Sequence, residues 1–186
     1  MSLKIIAGAF KGRPLKAPKG PSTRPTQGML REAVFNICQN EIEGARFLDL
    51  YAGSGAMALE ALSRGASQAT LVEQNRNAIT CIKENIASLG LGSQAHLIPT
   101  NAERAMTLLT KQETQFDIIY IDPPYDTPLI LEPLIPLLAP GGLLFIEERH
   151  NPKKPHVPYH SPHLQYKDTR RFGIALLSIF LYKGNL

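Results

Sequence analysis

The chain has no tryptophan, only two cysteines and no long uninterrupted apolar run. Cys38 and Cys81 have neither the spacing of a zinc site nor the number for a disulfide framework, which suits a reducing compartment. The longest apolar stretches are Leu129–Ala139, broken by Pro133 and Pro136, and Ile174–Tyr182. Both fall short of the roughly 20 residues that cross a bilayer. No signal-peptide core is apparent, because Lys11, Arg13 and Lys16 follow the brief Ile5-Ile6 pair. The expected location is the cytoplasm, with no membrane contact.

Acid is missing from residues 1–31, which carry seven basic side chains, and residues 149–186 carry seven more against Asp168 alone. The segment between them has fifteen acids and six bases, so an acidic centre lies between two basic flanks. Such flanks are the electrostatic footprint expected for a polyanion partner; they also serve simply as solvated, solubilising segments.

What is present is a repeating pattern. Residues 3–17 alternate short apolar runs with Gly8, Gly12 and Pro14 and read as a basic hairpin, followed by a Pro/Gly/Ser loop. We take 1–25 as this appendage and 26–186 as one domain. Thr26 is placed to cap a helix whose apolar face is Leu30, Ala33, Val34, Ile37 and Cys38. From Arg46, strands and helices alternate: strands over 47–51, 69–72, 96–98, 116–121 and 143–147, helices over about 56–64, 75–89 and 102–109. A proline-bearing helix is expected over Leu129–Leu138, and a closing hairpin over 164–167 and 174–182. Cys81 is expected in the core, on the apolar face of the second of those helices. Strands alternating with helices mean an α/β fold with a parallel sheet covered on both faces, which binds ligands at the carboxyl ends of its strands.

Chemistry-bearing residues fall at those ends. The first strand runs into Asp49-Leu-Tyr-Ala-Gly53-Ser54-Gly55, a turn that lets the backbone approach a ligand, with a helix N-terminus behind it. Glu73 ends the second strand, where a carboxylate can accept both ribose hydroxyls of an adenosine cofactor. Gly53-Ser-Gly55-Ala-Met-Ala58 also passes as a dinucleotide fingerprint, and a turn that binds nothing is the third reading. Asp49 favours S-adenosylmethionine over nicotinamide or flavin: it suits a methionine ammonium and repels a pyrophosphate. Asn101, after the third strand, can contact an adenine edge or cap a helix.

The fourth strand ends in Asp122-Pro123-Pro124-Tyr125. An exocyclic base amine is a poor nucleophile because its lone pair is delocalised into the ring. Acceptors facing the amine hydrogens stabilise positive charge developing on nitrogen, and the Asp122 carboxylate and Pro123 carbonyl can supply two. The prolines stiffen the loop and place those acceptors in advance. Tyr125 can stack on a base taken out of its helix. The residues therefore point to methylation of an amino nitrogen on a nucleobase, without choosing guanine or adenine, RNA or DNA. His150, His156, His160 and His163 are interleaved with prolines and far from either cysteine, so no metal site is expected.

These segments together resemble the RsmD family of bacterial small-subunit ribosomal RNA methyltransferases. The matching residues are Arg24-Pro-Thr with Arg31-Glu32 and Phe35-Asn36, the Asp49–Gly55 loop with Leu59–Ala66, Val72-Glu73, Asp122–Tyr125, and Arg170–Ile179. The resemblance implies a class I methyltransferase sheet of seven strands with an antiparallel last strand. It also implies S-adenosylmethionine as methyl donor, and N2 of guanine 966 of 16S rRNA as target. The partner would be that rRNA or the small subunit it builds, met by a monomer. Lys11, Arg13, Arg24, Arg31, Arg170 and Arg171 are then the candidate RNA contacts. Gly28-Met29 stands where the family usually carries Asp-Arg, Ala58 where glycine is common and Asn101 where an acid is common. The competing readings are a DNA adenine-N6 methyltransferase, a non-catalytic RNA-binding assembly factor and a nicotinamide oxidoreductase.

Overall fold

The computed structural model describes residues 3–18, 25–124, 129–152 and 159–184. Helix α1 spans Pro25–Ile37, and then strands and helices alternate: β1 Arg46–Leu50, α2 Ala56–Ser63, β2 Gln68–Val72, α3 Arg76–Leu89, β3 Ala95–Ile98, α4 Ala102–Lys111 and β4 Phe116–Ile121. Strands β5 (Leu138–Arg149), β6 (Leu164–Phe172) and β7 (Ala175–Tyr182) complete one seven-stranded sheet in the order β3-β2-β1-β4-β5-β7-β6. Strands β1 to β5 pair in parallel, whereas β7 runs antiparallel to both of its neighbours. This is the expected class I methyltransferase topology, with β1 and β4 adjacent where the strand order reverses.

Alternation along the central strands sorts residues between two cores. Phe47, Leu71, Ile118, Tyr120, Phe145 and Leu177 face α1, α2 and α3. Leu48, Leu50, Ile119, Ile121, Leu144 and Ile146 face α4 and the segment before β5. Burial on both faces is why these strands read as continuous apolar runs. Helix α3 starts on an Asn75 cap, whose side chain accepts from the Asn77 and Ala78 amides at 2.9 and 3.2 Å, and stops at Gly90 with φ 70°.

Residues 3–15 do pair as expected: Leu15 N donates to Leu3 O at 2.9 Å and Ile5 N to Arg13 O at 3.0 Å, around a single antiparallel bridge between Lys4 and Pro14. The buried Glu60 of α2 holds this segment, accepting from Ile6 N at 2.8 Å and Ala7 N at 2.9 Å. Asn85 of α3 holds its far strand, accepting from Lys16 N at 2.7 Å and donating to Lys16 O at 2.9 Å.

Three expectations are corrected. The proline-bearing helix is a 3-10 turn, Glu132–Leu137, because Pro133 and Pro136 remove amide donors and crowd an α-helical ladder. Its Leu134 and Leu137 are still buried, so the apolar spacing was real. Cys81 is only half-buried, since Ala78, Ile82, Asn85 and Leu89 form the inward face of α3. The first strand of the closing hairpin, expected over 164–167, runs on to Phe172, so Arg170 and Arg171 lie within β6 and the connection is the Gly173-Ile174 turn.

Candidate active site at the carboxyl edge of the sheet

The β1–α2 turn is built around two left-handed glycines, Gly53 (φ 56°) and Gly55 (φ 77°). The positive φ favours glycine at position 55, and a Cβ there would also stand 2.9 Å from Leu71 Cδ2, which would have to shift. Gly55 offers α2 no side-chain cap. Asp49, 1% exposed, supplies one from the preceding strand: its Oδ2 accepts from Ala58 N at 3.3 Å. Glu73 fixes the other side of the turn. Its Oε2 accepts from Gly53 N at 2.8 Å, and its Oε1 from Gln74 N and Asn75 N at 2.8 and 2.7 Å. Oε1 is saturated by its two amides, while Oε2 keeps a lone pair for a ligand hydroxyl. Asn85 Nδ2 donates to Ser54 O at 3.0 Å, tying this turn to the N-terminal segment.

Two cavities meet over this edge, with Tyr51 and Asp122 in the walls of both. One, about 590 Å³, has Glu73, Gln74, Asn75, Asn101, Pro123 and Pro124 in its lining. The other, about 570 Å³, lies between the N-terminal segment, α1 and the sheet, where it meets Lys4, Gly28, Arg31, Asp49, Met57 and Glu147. Tyr51 is a non-glycine residue held at φ 69°, a strained backbone placed at the junction. Asn101 resolves to a helix cap, its side chain accepting from Arg104 N at 2.8 Å, while still lining the first cavity.

The second cavity is acidic. Asp49 pairs in register with Tyr120, and Tyr120 with Phe145, so Asp49, Tyr120, Asp122 and Glu147 share one face of the sheet. The Tyr120 hydroxyl donates to Glu147 Oε2. Burial, then the neighbouring Glu147 charge, pushes the Asp122 carboxyl up to about 7. Burial raises Glu147 as well, against the Tyr120 hydrogen bond, and holds Asp49 well above the usual carboxylate range. Among the described residues, no ion pair engages any of the three.

A cleft with glycines at one wall, a ribose-competent carboxylate at one end and three uncompensated carboxylates at the other fits S-adenosylmethionine, whose sulfonium and ammonium are cationic. A pyrophosphate would be repelled. Pro123 is half-buried and Pro124 exposed, both beside Asp122; Tyr125 lies outside the described residues.

The expected RNA contacts separate. Arg24 lies outside the described residues. Arg31 is 6% exposed and turned inward, donating from Nη2 to Lys4 O at 2.7 Å and facing Glu60 Oε2 at 3.6 Å from Nε. It builds the wall of the cleft and is no open-surface base. Lys11 and Arg13 are exposed, but the turn they flank rests on the C-terminal end of α2, where Ala9 N donates to Ser63 O at 2.7 Å. Arg13 also donates to Ser88 O at 2.8 Å. That end of α2 is about 12 Å from the carboxyl edge, at 1.5 Å per residue. Arg170 and Arg171 are exposed near the β6–β7 tip; Arg149 pairs with Ala175, so that tip lies at the carboxyl edge. Sequence reasoning missed Glu147 and Asn85, which belong to no short motif, and gave no role to Tyr51 or Glu60, which lie inside the segments Asp49–Gly55 and Leu59–Ala66. Among the described residues, no helix is long and apolar enough to cross a membrane, and no three His, Cys, Asp or Glu side chains are grouped to hold a metal.

The family model described as conserved hypothetical protein 95 matches residues 3–181. Ribosomal RNA small subunit methyltransferase D of Escherichia coli K12 is 38% identical over 162 residues, covering 84% of this chain and 79% of its own. YlbH of Bacillus subtilis, provisionally assigned as an rRNA methyltransferase, is 43% identical over 123 residues, 66% of this chain and 67% of its own. Among solved structures, YhhF of Escherichia coli, provisionally assigned as a methyltransferase, matches with a TM-score of 0.82 at 32% identity and covers 100% of both chains.

Proposed function

Because this chain belongs to the conserved hypothetical protein 95 family, the RsmD family that its motifs resemble, we propose that it methylates N2 of one guanine in 16S rRNA, position 966. The observation that carries the reading is the meeting of Asp122 with the Gly53 turn in the acidic cavity, with Pro123 and Pro124 lining the cavity that adjoins it at Asp122. S-adenosylmethionine, when bound, supplies a methyl group made electrophilic by its sulfonium. Glu73 would hold the ribose and Asp49 the methionine ammonium. Ser54 and Gly55 keep the backbone of the turn low enough to admit the cofactor.

Asp122 does the chemistry-facing work. Its carboxylate and the Pro123 carbonyl accept the amine hydrogens, favouring the pyramidal nitrogen that attacks and stabilising the charge it develops. Tyr125 follows directly in the chain and would stack on the base. Arg170 and Arg171 would grip phosphates next to the target, and Lys11 and Arg13 more distant ones. A monomer acting in the cytoplasm, on the rRNA or the particle it forms, completes the reading.

The test is transfer of labelled methyl to free 16S rRNA, to small subunits lacking the modification, and to duplex DNA. We expect label in N2-methylguanosine from the ribosomal substrates. Label in adenine, or only in DNA, would overturn the reading.

A further inference from the structure

Adenine and guanine both offer an exocyclic amine, but the ring nitrogen beside it differs. Guanine N1 carries a hydrogen; adenine N1 and 2-aminopurine N1 carry a lone pair. A site that selects guanine therefore needs an acceptor beside the one that receives the amine.

We propose that Glu147 is that acceptor, taking the guanine N1–H while Asp122 takes the amine hydrogens. Strands β4 and β5 pair in parallel up to Ile121 and Ile146, which brings the next residues of the two strands, Asp122 and Glu147, side by side. Alternation directs both to the face beneath α1 and the N-terminal segment, where both line the same cavity. Glu147 is 8% exposed, and its Oε2 is fixed by the Tyr120 hydroxyl. Among the described residues, Oε1 has no protein hydrogen-bond donor and the group no ion pair, so an acceptor is left open in the cleft wall. Burial raises the proton affinity of both carboxyls, and the Glu147 charge adds to it at Asp122, in keeping with their juxtaposition. Facing a purine with an N1 lone pair, a carboxylate here meets lone pair with charge. Tyr120 orients Glu147, and the remaining charged groups around the cavity are Asp49, Lys4 and Arg31.

This inference rests on the reading of the cleft as a guanine methylation site. Its test uses rRNA carrying guanine or 2-aminopurine at the target. Two ratios are measured: kcat/KM, and affinity in competition binding without cofactor. We expect the protein to prefer guanine by about 10- to 100-fold, the discrimination typical of one bidentate base contact. Glu147→Gln, whose amide can donate to N1, should bring both ratios to within about threefold of unity, whatever its effect on absolute rate. Glu147→Asp should keep guanine ahead. Ratios unchanged in a folded Glu147→Gln protein would overturn the role of Glu147 while leaving the site's function standing. Failure of the unaltered protein to methylate guanine N2 would instead remove the underlying reading. Should the Gln variant not fold, the unaltered protein gives the same answer. Lowering the pH protonates Glu147 and should narrow the kcat/KM ratio, because the loss from Asp122 and Asp49 is common to both substrates and cancels. A ratio flat with pH would overturn the role.

Discussion

Replacing Asp122 with asparagine should make the ligand-free protein more stable at pH 8 and almost inactive. In the fold, burial and Glu147 move this carboxyl from an ordinary 3.8 up to about 7. A folded-state pKa above the unfolded one means that the unfolded chain releases its proton first. The associated stability is therefore present below about pH 4 and is lost as the pH rises through about 7. At about 1.4 kcal/mol per pH unit, the ceiling is about 4 kcal/mol at pH 8. Ionisation shared with Glu147 and relaxation of an open cleft bring the expected gain from Asp122→Asn to about 2 kcal/mol. For a domain of this size, that raises Tm by about 4–8 °C at pH 8 and by little at pH 4. Thermal melts of both proteins from pH 4 to pH 8 measure it. Curves that stay parallel across that range would refute the argument that Asp122 is a destabilising charge retained for its chemistry.

Gly55→Ala forces a left-handed alanine against Leu71, so unfolding titrations should show a loss of about 1–3 kcal/mol, together with weaker binding of S-adenosylmethionine by calorimetry. Asn85→Ala frees the Lys16 backbone and Ser54 O from one shared clamp; we expect a loss of about 2–3 kcal/mol in denaturant and faster amide exchange in residues 3–17. Arg171→Ala should reduce the salt dependence of RNA binding by about one phosphate contact. Arg31→Met should leave that slope unchanged and lower stability by about 2 kcal/mol, because the buried Glu60 loses one of its two arginine partners.

Much of the fold can be read from the sequence because its signals are local. Strand runs buried on both faces, the Asn75 cap and the glycine turn each depend on neighbours within a few residues. What escaped depends on distant partners. Arg31 looks like one base in an acid-free flank until Glu60, 29 positions later, draws it inward. Glu147 reads as the polar end of a buried strand; only the β4–β5 pairing and the Tyr120 hydroxyl make it part of a site. The segment before β5 keeps a helix-like apolar spacing while its prolines forbid the helix. The hairpin's basic turn is evident, but not that it sits at the far end of α2.

In the proposed reaction, Asp122 acts on the nucleobase amine and does not hold the cofactor. Single-turnover methyl transfer and S-adenosylmethionine affinity, measured on the same Asp122→Ala protein, test it most directly. The predicted result is a rate reduced about 10²- to 10³-fold, as for the loss of one preorganised polar contact to a transition state, with cofactor Kd changed by less than about tenfold. Loss of cofactor binding with the residual rate at saturation intact would contradict it.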